Sequence, residues 1–244
     1  MSVADRLIAA RQSGAPFDAD PADGPADAAA AHAAQAEVAA AFGPVGAFKT
    51  GRKQPDAAPL IAPILRADIR PSGAEIPAAG SRLRGVELEI AFRLERPLPD
   101  PDAPDFETRL RAATVALPAL EIVESRLRDP EAAGPLWKLA DNQINGGLIL
   151  GAPVADWTAL DLARPSLRLR IGGAVAQDGP TETPGGHPFA TFAAFARRLG
   201  PHCGGLSPGA TVITGSLTGL RWAKAGDLID GRIAGLGAVS CRFA

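Results

Sequence analysis

Alternating polar and apolar residues mark a clear β-strand at residues 85–92. Side chains along a strand point alternately to opposite faces, so Val86, Leu88 and Ile90 share one face and Glu87 and Glu89 share the other. The pattern is typical of a half-buried strand with a wet acidic face. It also fits two carboxylates held beside a cation, which would remove their mutual repulsion.

A second apolar run, at residues 115–123, contains one carboxylate, that of Glu121. A carboxylate flanked by aliphatic side chains is costly unless a charge or a set of hydrogen-bond donors compensates it. One candidate partner is Arg126, which is close in sequence, and the other is a metal ion. Three glutamates without an accompanying histidine or cysteine form an oxygen-only set, which suits Mg²⁺, Mn²⁺ or Ca²⁺ rather than zinc.

Periodicity and turn residues predict further elements. Helices are expected near residues 2–11, 27–42, 106–113 and 189–199, and strands near residues 45–51, 61–69, 146–151, 167–171, 211–217, 227–233 and 239–243. Ser2 and Asp27 are candidate N-caps of the first two helices. Lys49 is the only charged residue of a short, glycine-bounded strand. It is either an exposed strand residue or an amine held against an anionic substrate.

Composition and charge narrow the possible partners. The chain has 244 residues and a formal net charge of −2, so it lacks the basic surplus of proteins that bind nucleic acids or acidic membranes. No apolar run approaches the length of a membrane span, and we expect a soluble, cytoplasmic protein. Cys203 and Cys241 are predicted to be buried free thiols. His32 is expected to pack on a helix, and His187 either lies in a loop or lines a site.

The order of motifs resembles the fumarylacetoacetate hydrolase superfamily, and within it the 2-keto-4-pentenoate hydratase and 4-oxalocrotonate decarboxylase group. The matching segments are residues 46–51, 86–92, 118–126, 140–142, 214–218 and 235–240. They follow the expected order over nearly the whole chain. The group commonly continues after its lysine with Gly-Leu-Thr-Ser, whereas this chain has Gly51, Arg52, Lys53 and Gln54. The resemblance therefore leaves the particular substrate open.

The resemblance implies an α+β fold, a mixed β-roll or sandwich with helices packed outside. We expect an N-terminal helical segment at residues 1–43 and a metal-binding catalytic domain at residues 44–244. It also implies roles for individual residues. Mg²⁺ or Mn²⁺ would be held by Glu87, Glu89 and Glu121, the substrate carboxylate would lie near Ser216 and Thr218, and the acid/base candidates are Lys49, Asp68 and Glu124, of which Lys49 is preferred.

The activity implied by the resemblance is hydration of a short 2-hydroxy-2,4-dienoate to a 4-hydroxy-2-oxo acid, in the meta-cleavage catabolism of aromatic compounds. Three alternatives stay open: a decarboxylase, a C–C hydrolase and a non-catalytic structural homologue. The expected partners are a small 2-oxo or 2-hydroxy-dienoic acid and further copies of the chain in a homo-oligomer, alone or paired with another enzyme of the pathway. Nucleic acid and membrane are not expected as partners.

Overall fold

The computed structural model of the protein describes residues 1–78 and 81–244. The helices are α1 Val3–Ser13, α2 Ala28–Phe42, α3 Phe106–Ala112, α4 Pro130–Ala133, α5 Pro135–Ala140 and α6 Pro188–Leu199. The strands are β1 Val45–Lys49, β2 Ala62–Leu65, β3 Ile69–Pro71, β4 Ala74–Ile76, β5 Gly85–Leu94, β6 Thr114–Val123, β7 Asn145–Leu150, β8 Ser166–Ile171, β9 Ala174–Pro180, β10 Thr211–Ser216, β11 Arg221–Trp222, β12 Leu228–Ile233 and β13 Gly237–Phe243. Within the described ranges, no helix has the length and apolar character needed to cross a membrane.

The first two helices begin where their sequence signals predict. At α1, Ser2 Oγ accepts a hydrogen bond from Asp5 N at 3.1 Å, and the Asp5 carboxylate accepts one from Ser2 N at 2.9 Å. This reciprocal capping satisfies two backbone donors that the helix itself leaves unpaired. At α2, Asp27 accepts a hydrogen bond from Ala30 N at 2.8 Å. Both predicted N-caps are confirmed.

The larger sheet curls into a nearly closed barrel. Its strands follow the order β2-β1-β10-β5-β6-β7-β3, with β11 also paired to β5. A short 3₁₀ turn at Arg66–Asp68 joins β2 to β3, the two end strands of this order. The pairs β1–β10 and β3–β7 are parallel, and the other pairs are antiparallel. The predicted α+β roll with mixed strands is confirmed.

The two faces of the barrel wall carry different side chains. The inner face holds a small apolar cluster made of Ala47, Ile64, Ala91, Leu117, Ala119, Leu148 and Ile213. The outer face of β5 and β6 belongs to the main core, in which Leu88, Ile90 and Leu120 are fully buried. Because alternate strand residues face opposite sides, Glu87, Glu89 and Glu121 fall on the inner face, in line with Ala91 and Ala119.

The second sheet and α6 cover the outer face of the barrel. The second sheet has the order β4-β13-β12-β8-β9. Its strand β12 lies so close to β5 that a Cβ atom at Gly231 would come within 2.7 Å of Leu88 Cδ1. Helix α6 contributes Phe189, Phe192 and Phe195 to the same core. Strand β9, which the sequence did not predict, is mostly exposed at the edge of this sheet.

The N-terminal helices pack on the chain around α5. A separate apolar cluster joins Leu7 of α1 and Val38 of α2 to Trp137 of α5. Gln35 of α2 is fully buried, and its Nε2 donates to Leu139 O at 2.6 Å and to Ile61 O at 3.2 Å. The division of the chain at residue 43 stays a prediction.

Candidate metal centre

Three glutamates converge on the inner face of the barrel. Glu87 and Glu89 lie on β5, and the register of β5 with β6 sets Glu121 directly opposite Glu87. One carboxylate oxygen from each residue lies within 4.8 Å of the others. Glu121 is fully buried and Glu89 is 1% exposed. The structure thus brings together all three residues that the sequence suggested as metal ligands.

Lys49 reaches the same cluster from β1. Its Nζ donates to Glu121 Oε1 at 2.9 Å and to Gln143 O at 3.4 Å, and it lies 3.8 Å from Glu87 Oε2. Its side chain is 16% exposed, so the interpretation of Lys49 as an exposed strand residue is wrong. The alternative partner for Glu121 is also wrong, because Arg126 pairs with Asp141 instead.

Two of the glutamates each have one satisfied oxygen and one free oxygen. Glu121 Oε1 accepts from Lys49 Nζ and from Asn145 Nδ2, both at 2.9 Å, and Glu89 Oε2 accepts from Gly215 N at 2.7 Å. Within the described residues, Glu121 Oε2 and Glu89 Oε1 are buried and have no hydrogen-bond partner. Buried carboxylate oxygens without partners are costly, and a divalent cation would satisfy both at once. The donor set therefore fits a hard cation that prefers oxygen ligands.

The charges of the cluster shift the pKa values of its members. Burial raises the pKa of Glu89 well above its ordinary value, and the charges of Glu121 and Glu87 raise it further. The pKa of Glu87 is also raised, first by burial and then by Glu121. Burial alone would lower the pKa of Lys49, but the neighbouring carboxylates, led by Glu121, outweigh it and the pKa is raised. One ammonium therefore compensates only part of the negative charge, which further favours a cation here.

The two predicted substrate-binding hydroxyls have different surroundings. Ser216, on β10 opposite Glu89, lies close enough to Glu87 to lower its pKa, yet its buried Oγ makes no hydrogen bond of ordinary length within the described chain. Thr218 Oγ1 accepts from Leu88 N at 3.2 Å and donates to Gly219 O at 3.1 Å. The Ser216 hydroxyl is therefore available to a ligand, whereas the Thr218 hydroxyl is bound to the backbone.

Asp68 and Glu124 lie apart from the glutamate cluster. Both line a cleft of about 520 Å³ that is also lined by Ile122 and Gly147, residues of the outer barrel face. Asp68 forms an ion pair with Arg11 at 3.6 Å. Glu124 accepts from Leu83 N at 2.7 Å and from Ser125 N at 2.9 Å. The barrel wall thus separates this cleft from the glutamates, and the chemistry of the glutamates and Lys49 locates the site better than the presence of a cleft does.

Sequence reasoning missed several contributors to the cluster, among them Gln143 and Asn145. Gln143 contributes its carbonyl oxygen, for which a sequence carries no signal. Asn145 was recognisable only as a polar residue at the head of an apolar strand. The two histidines in question have structural partners: His187 caps α6 by accepting from Phe189 N, and His32 contacts Gln35.

Both cysteines are free, as predicted. Cys241 is buried and Cys203 is half-buried. Burial raises the pKa of Cys203 to about 11 and that of Cys241 to about 12, so both remain thiols at neutral pH.

The sequence matches the model of a known protein family. The model of the family described as "Fumarylacetoacetate (FAA) hydrolase C-terminal" matches residues 27–244. The chain belongs to this family.

Its curated relatives include several hydratases. The chain is 31% identical over 176 residues to 2-oxo-hept-4-ene-1,7-dioate hydratase of Escherichia coli, which covers 70% of this chain and 66% of the relative. It is 34% identical over 172 residues to 2-hydroxyhexa-2,4-dienoate hydratase of Comamonas testosteroni, and this match covers 68% of this chain and 62% of the relative. The matches thus span about two thirds or less of the length of these relatives.

Solved structures share the fold. 4-Oxalocrotonate decarboxylase from Pseudomonas putida G7, complexed with magnesium and adipate, superposes with a TM-score of 0.81 at 22% identity, over 99% of this chain and 97% of that one. Fumarylpyruvate hydrolase from Pseudomonas aeruginosa, in complex with Mn²⁺ and pyruvate, gives a TM-score of 0.60 at 16% identity. The superposition covers 83% of this chain and 91% of that one.

Proposed function

We propose that the protein is a divalent-metal-dependent hydratase that adds water to a short 2-hydroxy-2,4-dienoate and forms a 4-hydroxy-2-oxo acid. The observation that carries this proposal is the glutamate cluster: Glu89 and Glu121 each have one buried oxygen without a partner in the described part of the chain, and the Lys49 ammonium lies beside them. The hydratases among its relatives support the choice of reaction. The reaction would belong to the meta-cleavage catabolism of aromatic compounds.

Glu87, Glu89 and Glu121 would hold Mg²⁺ or Mn²⁺. When bound there, the cation would act as a Lewis acid toward the carboxylate and 2-oxygen of the substrate and stabilise the negative charge that develops on that oxygen. Ser216, whose hydroxyl has no hydrogen-bond partner among the described residues, is suited to donate a hydrogen bond to the substrate carboxylate. Thr218 would shape the same region through its backbone contacts.

Lys49 is the preferred acid/base group. The dienol first becomes an α,β-unsaturated 2-oxo acid by gaining a proton at carbon and losing its hydroxyl proton, and water then adds at the alkene carbon remote from the ketone. Lys49 Nζ carries protons that it can donate, and its raised pKa keeps it charged at neutral pH. Asp68 and Glu124, the other candidates, face a different cleft, so in this proposal they act on neither the substrate nor the metal.

The proposal is tested with purified protein stripped of metal and then supplied with Mg²⁺ or Mn²⁺. We expect metal-dependent loss of the dienol absorbance of 2-hydroxypenta-2,4-dienoate and formation of 4-hydroxy-2-oxopentanoate. Release of CO₂ from a 2-oxo dioate would instead identify a decarboxylase, and chain cleavage would identify a C–C hydrolase. Metal binding without turnover of any such acid would favour a non-catalytic structural homologue.

A further inference from the structure

A short left-handed turn lies beside the metal centre. The consecutive residues Asn142, Gln143 and Ile144 have φ angles of 52°, 52° and 55°. L-amino acids other than glycine rarely adopt this conformation, and a β-branched residue such as Ile144 is especially disfavoured. Strained backbone of this kind persists only where its surroundings hold it in place.

A buried ion pair binds both ends of this turn. Arg126 Nη2 donates to Asp141 O at 2.8 Å, directly before the turn, and Arg126 Nη1 donates to Asn145 O at 2.9 Å, directly after it. Arg126 Nε pairs with the Asp141 carboxylate, which also accepts from Ser125 Oγ at 2.8 Å. Arg126 is 7% exposed and Asp141 is 2% exposed. The planar guanidinium can span the two carbonyls, whereas a lysine ammonium has no such fork.

The turn and the residue after it contact the two chemically important groups. Gln143 O accepts a hydrogen bond from Lys49 Nζ at 3.4 Å. Asn145 Nδ2 donates to Glu121 Oε1 at 2.9 Å, the same oxygen that Lys49 binds. With Oε1 taken by two donors, the free oxygen of Glu121 is Oε2. Contacts of this kind fix the orientation of a metal ligand.

We propose that Arg126 and Asp141 form a clamp that holds residues 142–144 left-handed and thereby positions both the Lys49 ammonium and the Glu121 carboxylate. Arg126 and Asp141 are positioning residues, since they act through the turn. The role of Lys49 and Glu121 in catalysis and metal binding rests on the proposed function, whereas the contacts of the clamp are observed in the structure. The competing view is that the ion pair only stabilises the fold.

Rescue by glycine separates the two views. Arg126→Lys keeps the charge and removes the fork, so the turn should relax, and metal affinity should fall about 10-fold to 100-fold. Gln143→Gly removes the steric cost of the left-handed conformation at a residue whose carbonyl, not its side chain, contacts Lys49. Adding Gln143→Gly to Arg126→Lys should therefore recover most of the lost Mn²⁺ affinity, measured calorimetrically on folded protein.

The matched control is Cys203→Gly. Cys203 also has a left-handed φ, of 50°, and lies in a different turn, at His202–Gly204. Glycine there relieves similar strain without touching the clamp, so it should stabilise the protein and leave the affinity of Arg126→Lys low. Equal recovery with either glycine would overturn the proposal and leave the ion pair a structural role alone.

A crystal structure of Arg126→Lys tests the clamp independently of turnover and of metal. We expect the turn to leave the left-handed region and the Lys49 Nζ–Gln143 O contact to be lost. A turn that stays left-handed with this contact intact would contradict the clamp, even if the proposed hydratase activity were established. If the assay finds no hydratase activity but the turn relaxes, the proposed function fails and the clamp stands. Asp141→Asn, which keeps the side-chain shape and weakens the ion pair, gives the same comparison if Arg126→Lys does not fold.

Discussion

At the scale of single residues, the two oxygens of Glu121 have opposite surroundings. Oε1 accepts hydrogen bonds from Lys49 and Asn145, while Oε2 is buried with no partner among the described residues. Glu89 shows the same division: Oε2 accepts from Gly215 N, and Oε1 has no partner within residues 1–78 and 81–244. Each carboxylate is thus oriented by protein donors on one side and left free for a cation on the other.

Changing Glu121 to Gln should abolish stabilisation by metal. In the unchanged protein, a metal concentration of 100 times Kd should add about 2.7 kcal/mol to the free energy of unfolding. The amide removes a ligand charge, so thermal denaturation of Glu121→Gln should show almost no shift with Mg²⁺ or Mn²⁺. Glu95→Gln, at an exposed position just after β5, is the control and should keep the full shift. A full shift in Glu121→Gln would remove this residue from the ligand set.

Metal affinity should rise with pH. The raised pKa values of Glu87 and Glu89 mean that the folded, metal-free protein holds protons above about pH 4.3, where an ordinary glutamate has lost them. Because the folded state then binds more protons than the unfolded state, stability without metal should fall as pH rises through this window. Metal binding must displace the same protons. Calorimetric titration in buffers of different ionisation enthalpy should detect their release, and an affinity independent of pH would contradict this account.

Lys49→Met should lower kcat more than it raises KM. An ammonium that transfers a proton or stabilises charge only in the transition state contributes to kcat, whereas one that simply binds the substrate carboxylate contributes to KM. Lys224→Met removes an exposed lysine outside the segment after Lys49 in which the chain departs from the family pattern, and should leave both constants unchanged. Unchanged kcat with raised KM in Lys49→Met would make Lys49 a binding residue. Metal content must be measured in both variants, because Lys49 also contacts Glu121.

At the scale of elements, the site depends on how β5 is held between two layers. Its inner face carries Glu87 and Glu89, and Leu88 between them packs outward against Gly231 of β12. The second sheet therefore supports the strand that supplies two of the three candidate ligands.

Gly231→Ala should disturb this support. The new Cβ atom would lie 2.7 Å from Leu88 Cδ1, so Leu88 or β12 must move. Overpacking of a dense core typically costs about 1–3 kcal/mol. Urea denaturation should show a loss of unfolding free energy in this range. Metal binding should also weaken, because Leu88 lies on β5 between the candidate ligands Glu87 and Glu89. Gly51→Ala, where the added atom meets open space, is the control for stability. Unchanged stability in Gly231→Ala would contradict the prediction, because it would mean that β12 and β5 can move apart without loss of unfolding free energy.

At the scale of the whole molecule, we expect association into a homo-oligomer. Trp222 on β11 and Val175 on β9 are each 57% exposed, and these strands are linked by a hydrogen bond from Arg221 to Gln177. Large exposed apolar side chains of this kind commonly mark protein interfaces. Sedimentation should give a mass that is a multiple of 25.0 kDa, and Trp222→Lys should shift it toward the monomer. A stable, active species of 25.0 kDa in the unchanged protein would contradict the prediction.

Several features followed from the sequence because they depend on local periodicity. Alternation in residues 85–92 fixed the shared face of Glu87 and Glu89, and Ser2 and Asp27 marked the starts of two helices. The shared face depends on strand geometry and the caps on backbone donors within a few residues, so neither needs knowledge of distant contacts. The sequence did not predict the edge strand β9, because its residues are mostly exposed and show no alternation between a buried and a polar face.

Contacts between distant residues were decided only by the tertiary structure. The partner of Glu121 is Lys49, 72 positions away, and not the nearby Arg126, because the curled sheet lets side chains on the inner faces of β1 and β6 meet. Asp68, in the 3₁₀ turn Arg66–Asp68, and Glu124, just after β6, line a different cleft. The left-handed turn at residues 142–144 contains no glycine that would have predicted it from the sequence. Contacts from Arg126 and Asp141 hold the turn in a conformation that its own residues disfavour. The sequence thus determined which faces carry the acids, and long-range packing decided which groups meet, because a side chain's neighbours depend on the path of the whole chain.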